Sequence, residues 1–568
     1  MRHILNRIAM SAMLGLLGLT PAVSADPAPR LVLQITVDQL RGDLIARDLD
    51  RMGNGGFRYL LDEGVAYLDA HHAHANTETI VGHATLATGA HPAAHGMIGN
   101  VWFDRGLGRL VYNVEDGDFP ILGAGAGVDK SGEIDPTQKA AGTDGRSPRA
   151  IMTSTFGDEL AIAQGGTAKI FGVSVKDRGA ISMAGHAGKA FWFSKKIGEF
   201  ITSSYYYDRY PGWVTAWNAR RLPFDYAGKS WELLYDRASY RNGDRDDLDY
   251  ETALPGFGRV FPHPFGPADG KLFTTLLTTS PAGDALTVDF AKTLIDAEEL
   301  GRDAVTDYLS VSLSSTDYVG HLFGPSSLET EDQILRLDRL LADLFAFVDD
   351  RVGLDRTLIA LSADHGAADP PGYLAELGVP ARYLDPAAWN REPGLARLRE
   401  RFGLGAELIS AYFHPYVYLD REAIAAADLD QEAVERAVAE EIMRLPGVGL
   451  AVSSSALANG DYPEMPIIRS VLNNYNPSRS GDVFVVFEPH SFINDFDGLT
   501  VAAHHGSPWR YDTFVPLIFA GYGLQARNVA RRVETVDLAP TLSAIVGLKP
   551  PSGAAGSPLA EVLEAVNP

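Results

Sequence analysis

The chain of 568 residues has no cysteine. Disulfides are therefore excluded, as are thiolate metal ligands and a cysteine nucleophile, so stability has to come from packing or from metals. Positive charge is scarce as well. Lys and Arg number 49 against 73 Asp and Glu, a net charge of −24. Such a surface repels the nucleic-acid backbone, and an anionic substrate needs a local positive focus such as metal ions or paired cations. Gly123–Gly127 (GAGAG) reads as a loop rather than a GxGxxG fingerprint, and there is neither a P-loop nor an internal repeat.

Long apolar runs are also lacking, with one exception at the start. Arg2 and Arg7 precede an apolar run from Ile8 to Leu19, followed by Pro21 and the small-residue pattern Val23-Ser24-Ala25. Residues 1–25 read as a signal peptide cleaved after Ala25; the other reading is an uncleaved anchor. The run is shorter than the ~20 residues that span a bilayer. The expected mature chain is soluble, periplasmic or secreted, without a membrane or nucleic-acid partner, and monomeric. Removal of Arg2 and Arg7 takes the charge from −24 to −26.

Hydrophobic residues make up 46% and charged residues 21%, which suits a soluble globular protein with a large core. Leu31–Val37 (LVLQITV) is a nearly continuous apolar run of the kind found in buried parallel strands. Lys169–Val175, Tyr308–Leu313, Thr357–Ser362 and Val515–Ala520 read the same way, with helical patterns such as Ser326–Asp349 between them. The predicted class is α/β: a doubly wound, mostly parallel sheet flanked by helices, with ligands beyond the carboxyl ends of the strands. Two stretches, about 190–290 and 370–500, break the rhythm and are read as insertions into a single catalytic domain (26–568) that cap the site; separate domains are the alternative.

The residues at the predicted strand ends carry the chemistry, though each also has a structural reading. Asp38 follows the first strand and can cap the next helix or bind a metal. Asp364-His365 follows TLIALS, as a surface turn or as one oxygen and one nitrogen ligand. Asp317 and His321 are four apart, which puts them on one helical face as a surface contact or a metal grip. His504-His505-Gly506 offers a further imidazole. Thr79 opens a predicted helix over Thr79–Thr88, closed by Gly89. It is either a cap or a phosphoryl acceptor, placed where backbone N–H groups and the helix dipole favour an anion. Lys176 and Arg178 follow another strand, as a solvated pair or as cations for phosphate oxygens. Asn100 is a turn residue or a neutral donor to the same oxygens. His71, His72 and His74 lack a matching carboxylate set, and His83, His91 and His95 read as local hydrogen-bonding groups. Tyr205–Tyr207 and Trp213 read as packing.

In this chain order Asp38, Thr79, Asp317, His321, Asp364, His365 and His505 resemble the metal-site pattern of the alkaline phosphatase superfamily, and VETVDLAPTLSAIVGL resembles its closing segment. Thr79 in TETIVGHATLATG, Asn100 in HGMIGN, and Lys176 with Arg178 in VKDRGAI are similar to the PafA-type periplasmic alkaline phosphatases. The resemblance implies two Zn2+ ions. One is held by Asp317, His321 and His505, the other by Asp38, Asp364, His365 and the Thr79 oxygen, with His505 preferred to His504 because it precedes the glycine. It further implies a phosphatase that hydrolyses small-molecule phosphate monoesters through a phosphothreonine on Thr79, with Asn100, Lys176 and Arg178 on the phosphoryl oxygens. A phosphodiesterase or nucleotide pyrophosphatase on the same scaffold is the runner-up, and a non-catalytic zinc-binding ectodomain is the reading from another class.

Overall fold

The computed structural model describes residues 28–123, 125–404 and 408–566. The expected signal peptide lies outside the described residues. The centre is a nine-stranded sheet. Its strands are β1 (Leu31–Val37), β2 (Val65–His71), β3 (Ile170–Ser174), β4 (Lys189–Ser194), β5 (Glu199–Ile201), β6 (Asp307–Leu313), β7 (Thr357–Ser362), β12 (Phe514–Gly521) and β13 (Arg527–Glu534), in the order β13-β2-β12-β7-β1-β6-β3-β4-β5. The remaining labels belong to a smaller sheet of β8 (Ile409–Phe413), β9 (Tyr416–Leu419), β10 (Val448–Ser453) and β11 (Val483–Phe487), ordered β8-β9-β11-β10.

β1 is central because every one of its residues is buried. It runs parallel to β6 on one side and to β7 on the other. Its alternate side chains serve two cores: Leu31, Leu33, Ile35 and Val37 pack with Leu286, Leu294, Leu337 and Leu344 on one face, and Val32 packs with Leu86, Leu160 and Leu538 on the other. Covering both faces is what makes a continuous apolar strand stable. β3 and β4 extend the parallel run beyond β6.

The apolar run at 515–520 is also a strand, but β12 is antiparallel to both neighbours, β7 and β2. An apolar run reports burial on both faces and says nothing of direction, so the parallel reading of this strand is corrected. The helix over Ser326–Asp349 appears as Leu328–Arg351, capped by the Ser327 hydroxyl, which accepts from the Thr330 amide. The segment 190–290 begins as sheet edge (β4, β5), and its aromatics pack inward: Phe191 contacts Tyr207 and Trp213, and Phe200 stacks on Phe290.

Candidate active site

α1 (Thr79–Thr88) starts at Thr79 and ends at Gly89, whose left-handed backbone (φ 63°) accommodates the C-cap. The helix is pressed against the end of β7. A Cβ on Gly82 would stand 2.0 Å from the Asp364 carbonyl oxygen, so only glycine permits this approach. His83, one turn after Thr79, places Nδ1 2.9 Å from the Thr79 carbonyl oxygen and 3.0 Å from Asp364 Oδ2, and its Nε2 is 2.9 Å from the Ser312 hydroxyl. The role of His83 is thus wider than the local bond expected, since it ties the Thr79 helix to Asp364.

Asp38 ends β1, and Asp364 and His365 follow β7; all three are fully buried. Parallel pairing of β1 with β7 puts these strand ends side by side, and His365 Nε2 lies 3.5 Å from Asp38 Oδ1 and 3.5 Å from Asp364 Oδ2. α2 (Ser315–Phe323) follows β6 and carries Asp317 and His321 on one face, with Nε2 3.2 Å from Asp317 Oδ1. His505 arrives from a loop after the smaller sheet, its Nε2 3.5 Å from the same oxygen. The groups are continuous: the His365 and His505 rings stack at 3.5 Å, and Asp317, His365 and His505 can hold one ion together. His504 also sits within reach of His321 and His505.

The donor set fits metal ions. Nδ1–H of His321, His365 and His505 donates to the carbonyls of Ala503, Gly366 and Thr77 at 2.9, 2.9 and 2.8 Å. Each ring therefore turns an unprotonated Nε2 toward the carboxylates, the tautomer a metal requires. Asp38 Oδ1 and His365 Nε2, which face each other, are buried without any hydrogen bond. Burial and the neighbouring Asp364 hold the Asp38 carboxyl well above its usual range, while burial pushes the His365 and His505 imidazoles below theirs. For Asp317, burial is outweighed by Lys176 and His321, which take it well below the usual range. Three dry carboxylates facing one ammonium are an arrangement that cations relieve.

Thr79, Asn100, Arg178, Asp317, His321 and His505 line a cavity of about 720 Å3. Arg178 Nη2 approaches Thr79 Oγ1 at 3.4 Å. Asn100 Oδ1 accepts from the Ile80 amide at 3.1 Å, which leaves its NH2 group to donate elsewhere. Lys176 is not among the lining residues. Its Nζ lies 2.7 Å from Asp38 Oδ2 and 2.5 Å from Asp317 Oδ2. The far wall comes from 384–387, 412–414 and 493–501, with Tyr412, Phe413 and Phe496 prominent; among the described residues none from 190–290 takes part.

Sequence reasoning missed several supporting groups. Asp135 pairs with Arg178 Nη1 at 2.8 Å, and the Tyr112 hydroxyl is 3.3 Å from the same nitrogen. Glu78 accepts from the Asn100 amide at 2.8 Å and, through burial, is pushed up to about 7. Gln39 touches both carboxylate groups. Glu78 lies within TETIVGHATLATG and Gln39 directly follows Asp38, whereas Tyr112 and Asp135 lie in segments without pattern.

The Type I phosphodiesterase / nucleotide pyrophosphatase family matches residues 32–508. The chain is 35% identical to alkaline phosphatase PafA of Elizabethkingia meningoseptica over 99% of each chain, and a crystal structure of PafA superposes with a TM-score of 0.85 over 95% of this chain and 99% of that one. It is 34% identical to a protein of Myroides odoratus named calcium-transporting ATPase (94% of this chain, 95% of the other), and 34% identical to alkaline phosphatase PhoV of Synechococcus elongatus (94% and 93%). One solved PafA variant is substituted at a threonine, an asparagine, a lysine and an arginine, with the first two and the last two spaced as Thr79/Asn100 and Lys176/Arg178 are here. With this fold and this strand-end cluster, the chain belongs to the alkaline phosphatase superfamily, as a member of its PafA-type group.

Proposed function

We propose that this enzyme hydrolyses phosphate monoesters with Thr79 as nucleophile. The observation that carries the reading is Thr79 itself: a hydroxyl at the first turn of a buried helix, beside Arg178 and at the floor of a cavity that also exposes Asp317, His321 and His505. Two Zn2+ ions held by Asp317, His321 and His505, and by Asp38, Asp364, His365 and Thr79, would supply Lewis acidity at the attacking and leaving oxygens.

The chain's own residues do the rest. The Thr79 oxygen attacks phosphorus and the ester oxygen leaves in line, which makes a phosphothreonine; water then attacks the same phosphorus and returns Thr79 with inorganic phosphate. Helix N–H groups at the start of α1 favour the incoming anion. The Asn100 amide and the Arg178 guanidinium donate to phosphoryl oxygens, each worth ~2–4 kcal/mol by comparison with other oxyanion donors. Lys176, buried between Asp38 and Asp317, adds a further positive charge behind the cavity wall. The test is Thr79→Ala: turnover should be lost with zinc content unchanged, and acid quench of the parent should trap phosphate on Thr79. Near-normal turnover of the variant would remove Thr79 from this role.

The family match favours a second reading, a phosphodiesterase or nucleotide pyrophosphatase. A monoester dianion has one more charged oxygen than a diester, and the cations Lys176 and Arg178 reward it, so monoesters rank first. Rates on an aryl phosphate and its methyl diester decide between the two. A transport function is not carried over from the Myroides relative: among the described residues no helix is long and apolar enough to cross a membrane. Export through residues 1–25, to periplasm or medium, and a monomeric state complete the proposal.

A further inference from the structure

Gln39 has a backbone that glutamine seldom adopts. Its φ is +67°, in the left-handed region that suits glycine, and the residue is 2% exposed. Such a conformation costs of order 1 kcal/mol or more and persists where something else depends on it. What depends on it is a pair of hydrogen bonds. The Gln39 amide donates to Asp364 Oδ1 at 3.1 Å, and its Nε2 donates to Asp317 Oδ1 at 2.8 Å. One residue therefore holds a carboxylate from each group of candidate ligands.

A second concession serves the same bond. Gly320 lies within α2, three residues after Asp317 and on the same side of the helix. Glycine there costs about 1 kcal/mol relative to alanine. Yet a Cβ at Gly320 would stand 1.7 Å from Gln39 Oε1 and 2.8 Å from its Cδ. The helix gives up a side chain where the Gln39 carboxamide lies.

We propose that Gln39 is a positioning residue that fixes the Asp317 and Asp364 carboxylates relative to each other for metal binding, and that positive φ at 39 and glycine at 320 are both kept for that contact. The inference rests on the metal-ion reading above. A carboxylate oriented by a hydrogen bond holds a metal in a fixed direction, and loss of such a supporting partner typically costs 10–100-fold in affinity.

Gln39→Gly separates this from a merely structural role, because glycine adopts the observed backbone freely and removes only the side chain. Zinc retention by the holoenzyme against a competing chelator, followed by metal analysis, should weaken about 10–100-fold, while the melting temperature of the zinc-stripped protein stays equal or rises. Gly320→Ala should weaken retention similarly by displacing the carboxamide. The double variant should retain zinc no worse than Gln39→Gly alone, because the added methyl then meets no side chain. Retention by Gln39→Gly equal to the parent's overturns the proposal, as does a loss matched by a lower melting temperature of the stripped protein, or additive losses in the double variant. A parent purified without bound metal, and taking up none, would instead refute the metal reading itself, and this inference with it.

Discussion

Lys176 Nζ lies 2.7 Å from Asp38 Oδ2, and both side chains are fully buried. The same ammonium reaches Asp317, so one cation spans a carboxylate from each ligand group. Arg178, two residues on, faces the cavity instead. Lys176→Ala and Arg178→Ala are both expected to lower kcat/KM on an aryl phosphate by about 10²–10³-fold, with smaller losses on the matching methyl diester. Equal losses on the two substrates would reject the charge argument.

Asp135 should act through Arg178. Its carboxylate, held well below the usual range mainly by that guanidinium against the effect of burial, fixes Nη1 while Nη2 points to Thr79. Asp135→Asn keeps an acceptor but removes the charge. Monoester kcat/KM should fall about 10-fold, a loss of ~1.4 kcal/mol in transition-state binding, with zinc content unchanged. A variant that loses zinc in proportion would place Asp135 elsewhere.

Chelation should destabilise the fold as well as stop turnover. Without cations Asp38 faces Asp364 in a desolvated cluster, with Lys176 and the Gln39 backbone N–H among the groups that offset the repulsion. An ion present at 1,000 times its Kd adds ~4 kcal/mol to the stability of the folded state. Calorimetry of the stripped protein should show a clearly lower melting temperature, restored by zinc. An unchanged melting temperature would argue against bound cations in this cluster.

Glu251 predicts a pH effect on stability. The side chain is buried, Oε1 has no hydrogen-bond partner, and burial with the nearby Glu329 pushes its carboxyl up to about 9. In the unfolded chain it titrates near 4.5. Between those values the folded state holds the extra proton, so stability falls as pH rises through the window. Glu251→Gln does not titrate. It should match the parent near pH 5 and be clearly more stable than the parent near pH 9, as read from urea melts. Parallel pH profiles would show that Glu251 ionises normally.

The apolar runs at 31–37 and 357–362 were strands to the residue, and α1 ran from Thr79 to Thr88, closed by Gly89, as its threonine start and glycine stop implied. Those features are local: burial on both faces and helix termini leave their mark in neighbouring residues. The types of the candidate ligands were legible too, as carboxylates and imidazoles placed at strand ends. Their convergence was not. Asp38, Asp317 and Asp364 meet only because β1 lies between β6 and β7, an order set by long-range packing. The same holds for the reversed direction of β12, for Lys176 sitting on Asp38 and Asp317 rather than on the cavity wall, and for the far wall built from 384–501. Gln39 is the extreme case: no pattern near it marks a left-handed glutamine, because its reason lies on α2, some 280 residues away, at Asp317 and Gly320.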